Sequence, residues 1–248
     1  MGQVIAFSNH KGGVGKTCSA VNVGAGLARA GKKTLLIDID PQGNLTTALG
    51  IQNPERTIYG ALRGIHGLEA INAAPGLGVI PADIDLSAAE IELAGEAGRE
   101  YILRELLEKI KGRYDFILID CPPSLGLLTI NALTAAKYLL IPLQAEFLAM
   151  KGITKLIEIV EKVRARLNKG LELTGVFMTQ YDSRKTLNKR VMETAEARFP
   201  GKVFKATIRS NVAIAEAPAA GQDIFRYAPH SHGAEDYAAL VKEILKKT

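Results

Sequence analysis

Two lysines five residues apart, Lys11 and Lys16, bracket three glycines in the stretch Ser8-Asn9-His10-Lys11-Gly12-Gly13-Val14-Gly15-Lys16-Thr17. Glycine lets a backbone curl until successive N–H groups converge on one anion, and a helix N-terminus adds a positive dipole. The stretch follows the apolar run Val4-Ile5-Ala6-Phe7 and opens into a helical pattern reaching Ala30. That is the strand–loop–helix setting of a phosphate-binding loop. In it Gly12, Gly13, Val14 and Gly15 would present main-chain N–H groups to phosphate, with Cys18 just inside the helix. Lys16 would reach the β- and γ-phosphates, and the Thr17 hydroxyl would ligate Mg²⁺. His10 stands where the strict pattern asks for glycine. Lys11 is a second ammonium on the same loop, repelled by Lys16 unless it meets an anion of its own. It is either a solvated loop lysine or points outward, toward nucleotide held by another subunit.

Two apolar, β-rich runs end in aspartate: Leu35-Leu36-Ile37-Asp38-Ile39-Asp40 and Phe116-Ile117-Leu118-Ile119-Asp120. A carboxylate at the carboxyl end of a buried parallel strand lies where open α/β sheets bind ligands. Asp120 would hold Mg²⁺ directly or through water. Asp38 and Asp40 are two residues apart on one strand exit, so both can point the same way. One of them can orient the attacking water, because phosphoryl transfer asks a protein mainly for positioning and charge stabilisation.

The motifs together resemble one family. Lys11-Gly12-Gly13-Val14-Gly15-Lys16-Thr17 is similar to the deviant Walker A of the MinD/ParA ATPases, in which the first lysine crosses a dimer interface. Leu35 to Asn44 resembles the second acidic motif of ParA/Soj-type partition ATPases, and Phe116 to Gly126 their Walker B. Asn211-Val212, Ala215-Glu216-Ala217-Pro218 and Ser231-His232-Gly233-Ala234-Glu235 also match the Soj type. The resemblance implies ATP and Mg²⁺ as ligands, with Lys11, Lys16 and Asp40 catalytic. It assigns the water to Asp40 and places Asp38 nearer the metal. It further implies a weak ATPase that dimerises on ATP, binds duplex DNA without sequence preference, and is released by hydrolysis that a ParB-like partner stimulates. A ParA-like positioner of a protein cargo is the nearest alternative, and a MinD-like membrane cycle a more distant one. The cellular place implied is cytoplasmic and nucleoid-associated.

The elements that must position these residues alternate strand and helix along all 248 residues, with 47% hydrophobic content and no low-complexity stretch. Strands are predicted at Gln3–Ser8, Lys33–Asp38, Gly78–Pro81, Phe116–Asp120, Tyr138–Pro142, Thr174–Thr179 and Val203–Ile208. Unbroken Val/Ile/Leu runs suit a parallel sheet covered on both faces. The expected fold is a doubly wound α/β P-loop domain of about seven mostly parallel strands flanked by helices, spanning residues 1–248 without an N-terminal helix-turn-helix. Ser87 is placed to cap a helix with Glu90 three residues on. The stretch from Ile51 to Gly78 reads as short surface helices. The two cysteines, Cys18 and Cys121, sit inside the nucleotide motifs. They lack metal-ligand spacing, which argues against an iron–sulfur reductase of the nitrogenase iron-protein kind.

Net charge is +5, unevenly spread. Residues 1–149 hold 13 Lys/Arg against 15 Asp/Glu, whereas 150–248 hold 18 against 11. Between Asp182 and Arg209 eight basic residues face three acidic ones, the footprint of a polyanion-binding surface. Arg184, Lys185, Lys189 and Arg190, with Lys202, Lys205 and Arg209 beyond, are the candidate phosphate contacts. No aromatic platform is interleaved, so sequence-independent duplex binding is expected rather than base stacking. The segment Ile208-Arg209-Ser210-Asn211-Val212-Ala213 departs from the family's Ile-Pro-Arg-Asn-Val-Arg, losing both arginines and offering Arg209 one place earlier. In relatives this segment also borders the adenine, which adds Arg209 and Asn211 to the nucleotide candidates, with Thr179 and Asp182 behind them. The last helix carries an ordinary core stripe, Tyr237, Leu240, Val241 and Leu245, with no further amphipathic tail, so no membrane partner is expected.

Overall fold

The computed structural model describes residues 2–146 and 149–248, with the side chains of residues 149–152 left aside. Its strands are β1 (Gln3–Phe7), β2 (Thr34–Asp38), β3 (Ile71–Ala74), β4 (Leu77–Ile80), β5 (Phe116–Asp120), β6 (Tyr138–Gln144) and β7 (Glu172–Thr179). The helices between them are α1 (Lys16–Arg29), α2 (Asn44–Ala48), α3 (Ile58–Leu62), α4 (Leu86–Glu92), α5 (Ile102–Glu108), α6 (Leu127–Ala135) and α7 (Ala149–Arg166). After the last strand come α8 (Thr186–Arg198), α9 (Val212–Glu216), α10 (Ile224–Tyr227) and α11 (His232–Lys247).

The strands form one sheet in the order β3-β4-β2-β5-β1-β6-β7, parallel throughout except for the β3–β4 pair. Pleating divides each strand between two cores. Val4, Ala6, Leu35, Ile37, Ile117 and Ile119 pack on one face with α3 to α8. Ile5, Phe7, Leu36, Phe116 and Leu118 pack on the other with α1, α10 and α11. Both faces are therefore apolar, which is why these strands read as unbroken rather than alternating runs. From β1 the chain steps over β5 to reach β2, while β6 lies on the other side. Such a switch in strand order opens a crevice at the carboxyl ends, and β1, β2 and β5 all deliver their motifs there.

Three expectations are corrected. Residues 203–208 do not form a sheet strand. They make isolated parallel bridges, Val176 to Val203 and Tyr181 to Arg209. Phe204 N–H and Ile208 N–H still bond to β7, at the Val176 and Met178 carbonyls, but between them the Lys205 and Ala206 N–H groups turn to the Glu243 carboxylate of α11 at 3.1 and 2.6 Å, so no continuous ladder forms. The seventh strand is instead β3, an antiparallel edge turned by Pro75-Gly76 within the region read as short helices, and Arg226 donates to the Ala73 carbonyl on it at 3.3 Å. Ser87 does not cap α4, which starts one residue earlier after Asp85 with no side-chain cap. Glu90 accepts a hydrogen bond from the Leu128 N–H at the start of α6 instead.

Candidate nucleotide-binding site

The glycine loop leaves β1 and turns into α1 at Gly15, whose φ of +81° lies in the left-handed region that favours glycine. No side chain caps α1, and its first turn has no acidic residue. Its leading N–H groups are therefore open to an anion. The loop is clamped from neighbouring strands. Asn9 donates from Nδ2 to the Pro142 carbonyl at 2.8 Å and accepts the Lys11 N–H at 3.1 Å. The Thr179 hydroxyl donates to the Val14 carbonyl at 2.9 Å, and Gln180 Nε2 to the Gly13 carbonyl at 3.2 Å. Gln180 takes a φ of +50° to do so, and Gln144 Nε2 in turn donates to its Oε1 at 3.0 Å.

The two lysines part company. Lys16 is buried at 7% exposure and donates from Nζ to the Lys11 carbonyl at 3.2 Å. Burial lowers its pKa, and the charges of Asp120, Cys121 and Asp40 oppose that shift. The Lys11 side chain turns outward to an ion pair with Glu146 and a 3.4 Å hydrogen bond to Gln144 Oε1.

Beside the loop lies a cavity of about 520 Å³. Gly12, Gly13, Gly15, Lys16, Thr17, Cys18 and Asp40 line it, so the structure brings these predicted residues together. Val21, Ala48, Ala217 and Pro218 also line it, with Asn22, Gln42, Asn44, Thr47, Gln180 and Gln222 among them, an apolar slot edged by polar side chains and suited to a purine base. Val14 is buried behind the loop, Lys11 stands outside the lining, and so do Arg209 and Asn211. Arg209 is held by Asp236, with Nη2 2.6 Å from Oδ1, and by Glu235 at 3.2 Å. Asn211 caps α9 by accepting the Ala213 N–H at 2.9 Å. Thr179 serves the loop, and Asp182 is bound to Arg184. Asn22 and Gln222 carried no local signal. Asn22 is spent on structure, donating to the Cys18 carbonyl and accepting the Ile224 N–H, which holds the wall against α1.

The acidic strand ends are adjacent, with Asp38 and Asp120 in register. Asp38 is fully buried, and its Oδ2 accepts the Thr46 N–H at 2.9 Å and the Thr46 hydroxyl at 2.8 Å. Its Oδ1 accepts the Asp40 N–H at 3.2 Å. Burial pushes its pKa up to about 6 despite those bonds. The family resemblance places Asp38 nearer the metal, but here both of its oxygens are engaged by protein donors. Asp120 is equally buried, and neither of its oxygens has a hydrogen-bond partner. Burial, then the charge of Asp38, raises its pKa well above the carboxylate range, with Thr17 and Lys16 opposing. A buried carboxylate without donors, next to a hydroxyl and an ammonium, fits a hard divalent cation. Among the described residues no three His, Cys, Asp or Glu side chains converge on a metal position. Asp120 and Thr17 would therefore share the cation with phosphate and water. Asp40 lies at the cavity edge, its Oδ1 accepting the Gln42 N–H at 3.0 Å.

The basic candidates lie elsewhere. Arg184, Lys185, Lys189 and Arg190 are exposed around the start of α8. Arg184 and Arg209 border a separate hollow with Tyr181 and His232. No helix among the described residues is long and apolar enough to cross a membrane.

Residues 2–173 match the family model described as an AAA domain. The chain is 47% identical to the sporulation initiation inhibitor protein Soj of Bacillus subtilis, across 98% of each chain. It is 46% identical to the chromosome partitioning protein ParA of Caulobacter vibrioides, covering 99% of this chain and 94% of that one. A crystal structure from Mycobacterium smegmatis, of a protein named cobyrinic acid a,c-diamide synthase with bound ADP and magnesium, superposes with a TM-score of 0.88. It shares 35% identity over 99% of this chain and 95% of that one. With near-complete coverage at this identity, and the site geometry in agreement, the chain belongs to the ParA/Soj family of chromosome-partitioning ATPases.

Proposed function

We propose that this chain binds ATP with Mg²⁺, dimerises on it, and in that form binds DNA without sequence preference until hydrolysis releases it. The observation that carries the reading is the division of labour between the lysines: Lys16 lines its own cavity, whereas Lys11 stands outside it on the surface. An ammonium so placed is positioned to reach a phosphate in a second copy. Loop N–H groups and Lys16 hold the phosphates, and the apolar slot holds adenine. Asp40 orients the water, and Thr17 and Asp120 hold the cation. When bound, Mg²⁺ would supply positive charge to offset the negative charge that develops on the phosphate in the transition state. Contacts from Lys11 to the γ-phosphate of the other subunit exist only before cleavage, so hydrolysis removes part of the dimer's stabilisation. Intrinsic turnover is weak, and a ParB-like partner accelerates it.

DNA binding falls to Lys185, Lys189 and Arg190, which carry no ion-pair partner among the described residues, with Arg184 beside them. The charges of Arg209 and Arg184 are offset by Asp236 and Asp182. Four phosphate contacts would give a slope of log K against log salt of roughly −3.6. The test is Lys11→Ala followed by sedimentation with ATP, ADP and no nucleotide, alongside DNA mobility shifts. The variant is expected to stay single-copy with ATP and to lose the ATP-dependent shift. A normal ATP dimer in the variant would overturn the reading.

A further inference from the structure

Two glutamines close the entry half of the phosphate loop, Lys11 to Gly13, into a ring. Gln180, just past β7, donates from Nε2 to the Gly13 carbonyl at 3.2 Å. Gln144, the last residue of β6, donates from Nε2 to Gln180 Oε1 at 3.0 Å. The ring returns to the loop through Lys11, whose Nζ lies 3.4 Å from Gln144 Oε1 and also pairs with Glu146. The three bonds run in one sense, each amide accepting on its oxygen and donating from its nitrogen. Neither amide can turn over without breaking two of them.

The independent observations lie in the backbone. Gln180 holds a φ of +50°, a left-handed conformation that strains a residue bearing a Cβ and collects at functional sites. Gly12 and Gly13 are exposed, and a Cβ added to either would meet nothing within 4 Å. Packing therefore leaves this half of the loop free. Among the described residues Gln180 is the only side chain hydrogen-bonded to the main chain of Gly12 or Gly13. The exit half differs, because Val14 is buried and the Thr179 hydroxyl holds its carbonyl at 2.9 Å. An unpinned glycine pair samples many conformations, and a ligand must order it on binding.

We propose that Gln180 and Gln144 are positioning residues for the nucleotide. Gln180 pins Gly12 and Gly13 in the shape that receives phosphate, and Gln144 acts only through Gln180, by fixing which way its amide faces. The inference rests on nucleotide binding at the loop and needs no second copy of the chain, so ADP is the probe.

The test uses the full chain with ADP and Mg²⁺, reading affinity by calorimetry and the loop by its backbone amide NMR signals. Gln180→Asn keeps an amide and tolerates the left-handed backbone, but its arm is one methylene shorter and falls short of Gly13. It should weaken ADP about tenfold. In the nucleotide-free protein it should shift or broaden the Gly12 and Gly13 signals, leaving the Gly15 signal and thermal stability unmoved. Thr179→Val is the contrast, moving the Gly15 signal and not that of Gly13. Gln144→Met should weaken ADP about threefold, and in the Gln180→Asn background should cost nothing further. Three results would each overturn this inference alone: ADP affinity unchanged in Gln180→Asn, Gly13 and Gly15 disturbed equally by that change, or losses from Gln144→Met and Gln180→Asn that multiply in the double variant. Absence of ADP binding by the unaltered chain would instead overturn the nucleotide reading, and this inference with it.

Discussion

Asp38 and Asp120 are cross-strand neighbours on β2 and β5, both without solvent exposure, yet one accepts three hydrogen bonds while the other has only the Thr17 hydroxyl beside it, outside hydrogen-bond geometry. The cause lies in the residues just beyond each strand. After Asp38 the chain continues through Asp40 into α2, which returns an N–H and a hydroxyl from Thr46 and an N–H from Asp40. After Asp120 come Cys121, Pro122 and Pro123, and proline has no N–H to donate. The Thr46 hydroxyl also accepts the Ala82 N–H at 2.9 Å, so Asp38 anchors a small polar network. Two residues with one sequence signature thus divide by their surroundings, one tied into a polar network and one left outside it. Burial alone does not tell them apart; their donors do.

That division makes Asp120→Asn the most damaging change to function. Mg²⁺-dependent turnover should fall by at least about a hundredfold, roughly 3 kcal/mol of barrier, as read in a steady-state phosphate-release assay. A smaller loss than in Asp38→Asn would reverse the two roles. The next effect is on pH dependence. Both carboxyls have folded pKa values above their unfolded ones, so the folded chain binds the extra protons. Nucleotide-free stability should therefore decline as pH rises from 3.8 to about 6 and level off above, as far as Asp38 governs it. Asp38 alone contributes about 3 kcal/mol of that decline. Denaturant unfolding across this window checks it, and Asp38→Asn should flatten the curve. Thr46→Val comes third. It removes a donor from Asp38 and an acceptor from Ala82, and should cost about 2 kcal/mol of stability while changing turnover much less than Asp120→Asn. The smallest effect concerns the exposed Lys11–Glu146 pair. Glu146→Gln frees the outer lysine and should tighten ATP-dependent dimerisation by no more than about fivefold, the range of a surface ion pair. Sedimentation equilibrium would measure that shift.

Much of this site was legible in the sequence because its parts are local. The loop, its two lysines, the helix it opens and the aspartates at strand ends each announce themselves within about ten residues. What stayed hidden depends on distant partners. Thr46 cannot be read as the occupant of Asp38 without knowing how α2 folds back. Asn22 and Gln222 meet only because α1 and the segment before α10 share a cavity wall. Arg209 looked available on charge alone, and only the packing of α11 shows Asp236 holding it. In the fold, the run over 203–208 has strand composition, but the Glu243 carboxylate of α11 takes the N–H groups of Lys205 and Ala206 and overrides that propensity. The β3 hairpin was missed because its short, small-residue strand offers little hydrophobic pattern.

The bent stretch beside β7 has a consequence for how copies of this chain can meet. A sheet grows into fibres only where it presents a free ladder of N–H and C=O groups. On one flank Phe204 and its neighbours occupy that ladder, and on the other the last strand is four residues long, with one carbonyl already taken by Arg226. Among the described residues, then, neither border presents a long open ladder to another molecule's backbone. Any association between copies would therefore have to run through side chains and loops, surfaces that a bound ligand can reshape.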